Sequence, residues 1–422
     1  MSAELIARRE AAMGAAPIFY QQPVHLVRGE GIWLYDADGK RYMDCYNNVP
    51  CVGHCHPHVV DAMQAQAATL NTHSRYLSET VVAYCERLMA LHADDLRVLQ
   101  MGCSGTEALE IALKAARAHT GGVGIICSNA TYHGNSHEVF RLSVGPFEPE
   151  FRRVTFPETY RPKQVGLADE ALCEAYLDEV RAAIRGFADD GIPFAGMLFC
   201  SIFANEGLPD IPGAYMQKAA ELVRAAGGVV IFDEVQAGFC RTGRWWGYEV
   251  TGCTPDIVAM GKPMGAGLPI SGVGMRTEIA QAFHSKAFYF NTMAATPLQA
   301  AVGNAVLDVI EAEDLRRNVA EVGAYLKDKL ATLVGHHPHV GDVRGHGLFL
   351  GVDWVHDDAG RQPDTDGAKR VVERMKEKGY LISNAGQHGN VLKIRPPLVF
   401  QQAHADELFA VLSATLGEFD DV

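Results

Sequence analysis

The chain has 422 residues, 48% of them hydrophobic and 21% charged, which is typical of a folded globular protein rather than a disordered or fibrous one. Its 37 basic and 51 acidic residues give a formal net charge of −14 at pH 7, which argues against nucleic acid or an anionic membrane as its partner. This length predicts two or three packed units.

The sequence also indicates a compartment. Residues 1–20 are interrupted by charges and offer no continuous apolar stretch of the secretory kind, and no run in the chain approaches the length needed to span a bilayer. The ten cysteines have no regular spacing, which argues against a disulfide scaffold. We therefore expect a cytoplasmic protein with free thiols.

The first elements form a hairpin. After a short helical lead-in, residues 32–35 and 41–43 are predicted to be strands joined at Asp38-Gly39, a dipeptide suited to a tight turn. A cluster of possible zinc ligands follows the hairpin. It lacks a second ligand pair at the spacing of a structural zinc site, so we predict no metal. The cluster consists of Cys51, His54, Cys55, His56 and His58.

From about residue 85 to 310, strands and helices alternate. Short apolar runs at residues 98–101, 124–127, 229–232 and 257–260 predict strands, and residues 108–116 and 214–226 predict helices. Continuously apolar strands are typical of a parallel sheet covered by helices on both faces. We predict an α/β fold with a large domain over residues 56–312, a small α+β domain over 313–422, and a segment over 1–55 that joins the small domain.

The first candidate site is Ser104-Gly105-Thr106, between a predicted strand and a predicted helix. Small residues allow a ligand to approach the backbone, and the first amides of a helix form an anion site. The alternative is an ordinary helix cap, with Ser104 or Thr106 accepting from the backbone. Further on, Tyr132 follows the strand at 124–127, where its ring could stack on a flat cofactor or simply pack at the rim of the core.

Asp233 is the next candidate, at the carboxyl end of a buried strand, where open α/β sheets bind ligands. A carboxylate there can keep a pyridine nitrogen protonated, and Gln236 can donate to a hydroxyl of the same ring. An apolar strand followed by Asp-Glu also resembles the Mg²⁺-binding strand of an ATPase. That alternative needs a phosphate-binding G-x-x-x-x-G-K-[ST] loop, which the chain lacks.

Lys262 follows the strand at 257–260 in a segment with three glycines and two prolines, MGKPMGAGLP. Most lysines in loops are simply solvated. Here Pro263 predicts a stiff, non-helical geometry for Lys262. A lysine that can lose its proton and join a carbonyl as a Schiff base is the nucleophile that pyridoxal 5'-phosphate requires.

These motifs in this order resemble the class III (omega) aminotransferase family of fold-type I enzymes that depend on pyridoxal 5'-phosphate. The resemblance covers the chain from about Gly31 onward. It implies Lys262 as Schiff-base lysine and proton shuttle, and Asp233 as partner of the pyridine nitrogen. The remaining implied cofactor contacts are Ser104, Gly105 and Thr106 at the phosphate, Tyr132 and Gln236 at the ring, and Thr292 at the phosphate of a neighbouring subunit. A homodimer with shared sites is therefore expected, with a tetramer left open.

Residues 47–57 and 70–77 resemble a narrower branch, the ethanolamine-phosphate phospho-lyases. One segment departs from the family pattern: residues 200–207 read CSIFANEG and lack an acid where family aminotransferases carry one. Candidates to hold a substrate phosphate are Arg75, Lys393 and Arg395, because a planar guanidinium can bond two oxygens at once. Each is as readily explained by a surface ion pair.

The resemblance implies a lyase that removes ammonia from a small phosphorylated amine, such as O-phosphoethanolamine or a related aminophosphonate, and leaves an aldehyde. A second hypothesis is an omega-aminotransferase that moves the amino group to a keto acid or aldehyde. A third is a protein of this fold that binds but does not catalyse, against which the presence of Lys262, Asp233 and Gln236 argues.

Overall fold

The computed structural model describes residues 2–143, 148–357 and 359–419. The chain opens with a helix and three antiparallel strands. Gly39 turns the chain between the second and third strands with φ = 84°, as the Asp38-Gly39 dipeptide predicts. These elements are α1 (Ser2–Met13), β1 (Leu26–Glu30), β2 (Trp33–Asp36) and β3 (Arg41–Asp44).

The central layer is a sheet of seven strands: β4 (Val98–Gly102), β5 (Gly124–Ser128), β6 (Phe151–Val154), β7 (Phe194–Cys200), β8 (Val229–Asp233), β9 (Ile257–Met260) and β10 (Ser271–Met275). Their order is β4-β10-β9-β8-β7-β5-β6. The run from β9 to β6 is parallel, and β10 pairs antiparallel with both β9 and β4. Because β9 is apolar throughout and β8 is apolar up to its last residue, Asp233, both strands are stable only with both faces covered.

Helices cover this sheet. Helix α4 buries its small, apolar inner face and ends at Gly121, which adopts φ = 73° as a left-handed cap. The helices of this part are α2 (Pro57–Thr69), α3 (Glu79–Ala90), α4 (Gly105–Thr120), α5 (His137–Ser143), α6 (Asp169–Asp189), α7 (Tyr215–Ala225), α8 (Tyr248–Thr251), α9 (Thr277–Lys286) and α10 (Pro297–Ala312). A 3₁₀ turn at Lys262–Gly265 follows β9.

The rest of the chain forms α11 (Leu315–Ala331), β11 (Val340–His346), β12 (Phe349–Trp354), α12 (Thr365–Glu377), β13 (Tyr380–Leu381), β14 (Ser383–Ala385), β15 (Val391–Ile394), α13 (Gln402–Leu416) and a 3₁₀ turn at Gly417–Phe419. Strands β11-β12-β15-β14 form an antiparallel sheet. Strand β13 instead pairs in parallel with β3, so the first and last parts of the chain share a sheet. The domain boundaries at 55/56 and 312/313 stay predictions.

The cysteines are free, and two members of the cluster of possible zinc ligands bond to other protein groups. All ten cysteines lie in the described part of the chain, and none forms a disulfide. In the cluster, the Cys51 thiol donates to the Pro263 carbonyl at 3.1 Å, and His54 pairs with Asp44 at 2.7 Å. Among the described residues, no helix is long and apolar enough to cross a bilayer.

Candidate active site

Asp233 and Lys262 lie at one edge of the central sheet. Strands β8 and β9 are parallel neighbours with Asp233 opposite Ala259, so the end of β8 and the turn after β9 meet at the carboxyl edge. Lys262 begins the 3₁₀ turn, so the non-helical geometry predicted from Pro263 is wrong. The reason is that the fixed φ of proline, and its lack of an N–H, suit the first turn of a helix.

Part of the Lys262 side chain is exposed, yet protein surrounds its amine on most sides. Burial lowers the pKa of its amine; the carboxylate of Asp233 opposes this effect, and the charge of Arg395 adds to it. The net direction is downward, so more of this amine is neutral at pH 7 than of a surface lysine. A neutral amine is the form that attacks a carbonyl and accepts a proton.

The Asp233 carboxylate is held from two sides. It is 6% exposed, and its Oδ1 accepts from the Val235 N–H at 2.9 Å. Its Oδ2 lies 2.8 Å from Nδ1 of buried His133, whose Nε2 lies 2.7 Å from Thr131 Oγ1. Sequence reasoning missed His133: it is a hundred residues from Asp233, and the only local signal was its position next to Tyr132.

The candidate anion site lies at the start of α4. The Ser104 hydroxyl accepts from the Glu107 N–H at 3.1 Å, so Ser104 does act as the helix cap. The amides of Gly105 and Thr106 precede the first helical hydrogen bond and point out of the helix end. A Cβ on Gly105 would lie 2.9 Å from Val235 Cγ1, so only glycine fits between this helix and the turn after β8.

Tyr132, Asn205 and Gln236 are linked by hydrogen bonds. Tyr132 is 49% exposed, and its carbonyl accepts from Asn205 Nδ2 at 2.8 Å. Asn205 Oδ1 accepts from Gln236 Nε2 at 2.9 Å. On the far side of Gln236, its Oε1 accepts from Lys393 Nζ at 3.0 Å and from the Arg395 guanidinium.

Arg75 and Thr292 are both exposed. The Arg75 guanidinium lies 3.9 Å from the centre of the Phe290 ring. The neighbouring Asn291 donates to Glu107 Oε1 at 2.7 Å, which ties the segment that carries Thr292 to the first turn of α4. Arg395 and Lys393, in contrast, are each only 4% exposed.

The segment that departs from the family pattern borders the site. Cys200 ends β7 directly beside Asp233 in the sheet. The one acid of the segment, Glu206, is 3% exposed, and its Oε1 accepts from Ser128 Oγ at 2.6 Å. Burial raises the pKa of Glu206, which favours its protonated form.

These features fit pyridoxal 5'-phosphate. A cradle that a Cβ would fill, with outward amides, suits a phosphate, and a buried strand-end carboxylate suits a protonated ring nitrogen. An amine with a lowered pKa at the same edge suits an aldehyde, and the half-exposed Tyr132 ring is free to stack on a flat cofactor.

The comparisons with known proteins agree with this fit. The family described as aminotransferase class-III matches residues 17–416. The chain is 37% identical to an alanine–glyoxylate aminotransferase 2-like protein of Drosophila melanogaster, over 96% of this chain and 85% of the relative. It is 34% identical to ethanolamine-phosphate phospho-lyase homolog 1 of Caenorhabditis elegans, over 98% and 93%. A solved phospholyase from Arthrobacter in complex with phosphoethanolamine superposes with a TM-score of 0.95 at 42% identity, covering 98% of this chain and 99% of that one.

Proposed function

The chain belongs to the aminotransferase class-III family, whose cofactor is pyridoxal 5'-phosphate, and from that premise we propose that it is a lyase acting on O-phosphoethanolamine. The reaction removes a proton from the carbon that bears nitrogen and expels phosphate from the next carbon. Hydrolysis of the resulting enamine then gives ammonia and acetaldehyde. The likeness to the phosphoethanolamine-bound phospholyase, over almost the whole length of both chains, carries the proposal.

In this proposal the cofactor, when bound, withdraws electrons from the carbon that carries the substrate nitrogen. The Gly105 and Thr106 amides hold its phosphate, and Asp233 keeps its ring nitrogen protonated. Tyr132 lies against the ring, and Gln236 donates to the ring hydroxyl. Lys262 is the base that takes the proton from the substrate carbon, and its lowered pKa keeps it ready to do so.

We assign the substrate phosphate to Arg75. Its guanidinium is exposed and stacks on Phe290, which orients its N–H groups without using them. Arg395 and Lys393 are buried and already donate to Gln236, so a substrate reaches them less readily. Arg75 lies in the stretch that resembles the phospho-lyase branch.

Arg75 and Thr292 share a surface that fits a second copy of this chain. Large apolar side chains of the two segments are exposed: Leu70 (55%), Tyr76 (67%), Leu77 (102%), Phe288 (86%) and Met293 (70%). Such a patch marks an interface, and a homodimer formed there brings Thr292 to the neighbouring site. Leu77→Asp should weaken the dimer in sedimentation experiments, whereas Val165→Asp, at a residue 90% exposed elsewhere, should not.

The deciding experiment mixes holoenzyme with O-phosphoethanolamine in the absence of any keto acid. The lyase releases phosphate and ammonia in equal amounts over many turnovers. An aminotransferase stops after one turnover and resumes only when a keto acid is added. The 37% identity to an alanine–glyoxylate aminotransferase 2-like protein makes this the second candidate function, with alanine and glyoxylate as its test pair.

Arg75 provides a second, independent test. Arg75→Ala should raise KM for O-phosphoethanolamine by roughly tenfold to a hundredfold, because a charge-assisted pair with a phosphate contributes about 1.5–3 kcal/mol. KM for an amine of similar size without phosphate should change little. Equal effects on both substrates would remove Arg75 from the phosphate site.

A further inference from the structure

Two basic side chains converge on one amide oxygen inside the protein. Lys393, on β15, and Arg395 are each 4% exposed. Lys393 Nζ donates to Gln236 Oε1 at 3.0 Å and to the Ala204 carbonyl at 3.3 Å. The Arg395 guanidinium donates to the same Oε1 and, through Nε, to the Tyr46 carbonyl at 2.9 Å.

This arrangement fixes the orientation of the Gln236 amide. A guanidinium is only a donor, so the amide atom that faces Arg395 must be oxygen, and the NH₂ group must lie opposite. There it donates to Asn205 Oδ1 at 2.9 Å, and Asn205 donates onward to the Tyr132 carbonyl at 2.8 Å. The hydrogen bonds therefore run in one direction, from the two basic groups toward the ring side of the cleft.

The protonation state of Lys393 is consistent with a role in holding the Gln236 amide. Burial and the neighbouring charges of Arg395 and Lys262 hold the pKa of Lys393 well below its usual range, against the opposing effect of Cys200 and Glu206. A neutral amine has two hydrogens, which match its two acceptors among the described residues. Lys393 thus supports Gln236 without adding a second uncompensated buried charge.

We propose that Lys393 and Arg395 are positioning residues that lock the Gln236 amide, so that its NH₂ group and not its oxygen is offered to the hydroxyl side of the bound ring. An NH₂ group has two hydrogens, and Asn205 takes one. A donor beside the ring oxygen stabilises negative charge on it, whereas a reversed amide would repel that charge. The inference requires the cofactor but does not depend on which substrate the enzyme uses.

The test is a pH titration of the visible absorption of the cofactor-loaded protein. Gln236→Glu retains acceptors for Lys393 and Arg395, so the variant should fold and bind the cofactor. It replaces the donor with a negative group, which favours the protonated chromophore, and the titration midpoint should rise by about one unit. Lys393→Met should shift it in the same direction by a few tenths of a unit, since Arg395 alone still holds the amide.

Lys376→Met is the matched control, because Lys376 is also buried (5% exposed) but donates to the Gln22 carbonyl, away from Gln236. It should leave the midpoint unchanged. The stability of the cofactor-free protein gives a second measurement, by thermal unfolding of Gln236→Glu, Lys393→Met and the double variant. The loss of stability in the double variant should differ from the sum of the two single losses, because the two side chains are in contact. A Gln236→Glu protein that binds cofactor with an unchanged midpoint would overturn the proposal, even if Lys393→Met does not fold.

Discussion

Replacing Asp233 by Asn is expected to separate the chemistry of the site from its folding. In the wild type the carboxylate only accepts, so His133 must carry its hydrogen on Nδ1. In Asp233→Asn the new NH₂ group can donate to Nδ1 once His133 moves its hydrogen to Nε2, and Nε2 can then donate to the Thr131 hydroxyl. The bond from the Val235 N–H is kept. No buried group loses its partner, so the variant should fold.

The chemical cost should be large. Asp233 is 6% exposed, and removing one member of a buried charge pair costs roughly 3–5 kcal/mol. At about 1.4 kcal/mol per factor of ten, carbanion formation should slow by roughly 10²-fold to 10³-fold or more. This step can be measured by NMR at saturating cofactor, as the rate at which the hydrogen on the amine-bearing carbon exchanges with D₂O. The measurement is valid whether the enzyme eliminates phosphate or transfers the amino group.

The matched control is Asp256, which directly precedes the amino end of β9, whereas Asp233 lies at the carboxyl end of β8. Asp256 is 5% exposed and accepts from the Val230 N–H at 2.8 Å and from Arg224. Asp256→Asn should lower the melting temperature while leaving exchange close to wild type. The role of Asp233 would be refuted if the hydrogen-exchange rate of Asp233→Asn lay within about threefold of the wild-type rate. It would also be refuted if the two variants lowered this rate equally.

Three more outcomes are expected. Lys262→Ala should abolish the covalent adduct that borohydride traps, as read by mass spectrometry of the peptide 257–265, and turnover should fall at least about 10³-fold. Burial lowers the pKa of Lys262, so the rate at which wild-type apoprotein takes up the cofactor should rise with pH and level off below about pH 10.4, the usual pKa of lysine. A rate that levels off only at or above this pH would contradict the lowered pKa. Asp353→Asn should lose about 3 kcal/mol in urea unfolding at pH 7, since this buried carboxylate accepts from Arg344 at 2.7 Å. Although burial opposes ionisation of Asp353, Arg161 and Arg344 lower its pKa, so its contribution exists above about pH 4, and the difference from wild type should vanish as the pH falls further.

Part of the site follows from the sequence because it depends on local pattern. An apolar strand that stops at Asp233, and another that stops just before Lys262, had to bring both residues to the carboxyl edge once the strands were parallel. The helix start at Gly105 and its cap were equally local, since Ser104 and the following small residues define them. These positions can be predicted because the hydrophobic periodicity and the residues that begin or end an element are all found within a few residues of each other.

The other part depends on contacts between distant segments. Nothing near His133 shows that it faces Asp233, and nothing near Gln236 shows that Lys393 will meet it 157 residues later. Strand β10 was also absent from the predicted elements, because Ser271–Met275 contains two glycines and has little apolar pattern. Its antiparallel pairing with β4 and β9 is a property of the sheet and not of the segment.

Residues away from the cofactor ring must determine whether the enzyme eliminates phosphate or transfers the amino group. Asp233, Lys262 and Gln236 would act in the same way for either outcome, because both begin with loss of a proton from the carbon that bears nitrogen. The reactions diverge when the next carbon either releases its substituent or keeps it. Stabilising a departing phosphate requires a cation at the far end of the substrate, and among the three predicted phosphate ligands Arg75 has its charged group exposed, whereas Lys393 and Arg395 donate to Gln236. Substitutions that exchange one activity for the other should therefore map to the segment around Arg75 and, if the proposed homodimer forms, to the surface of the second subunit that faces it.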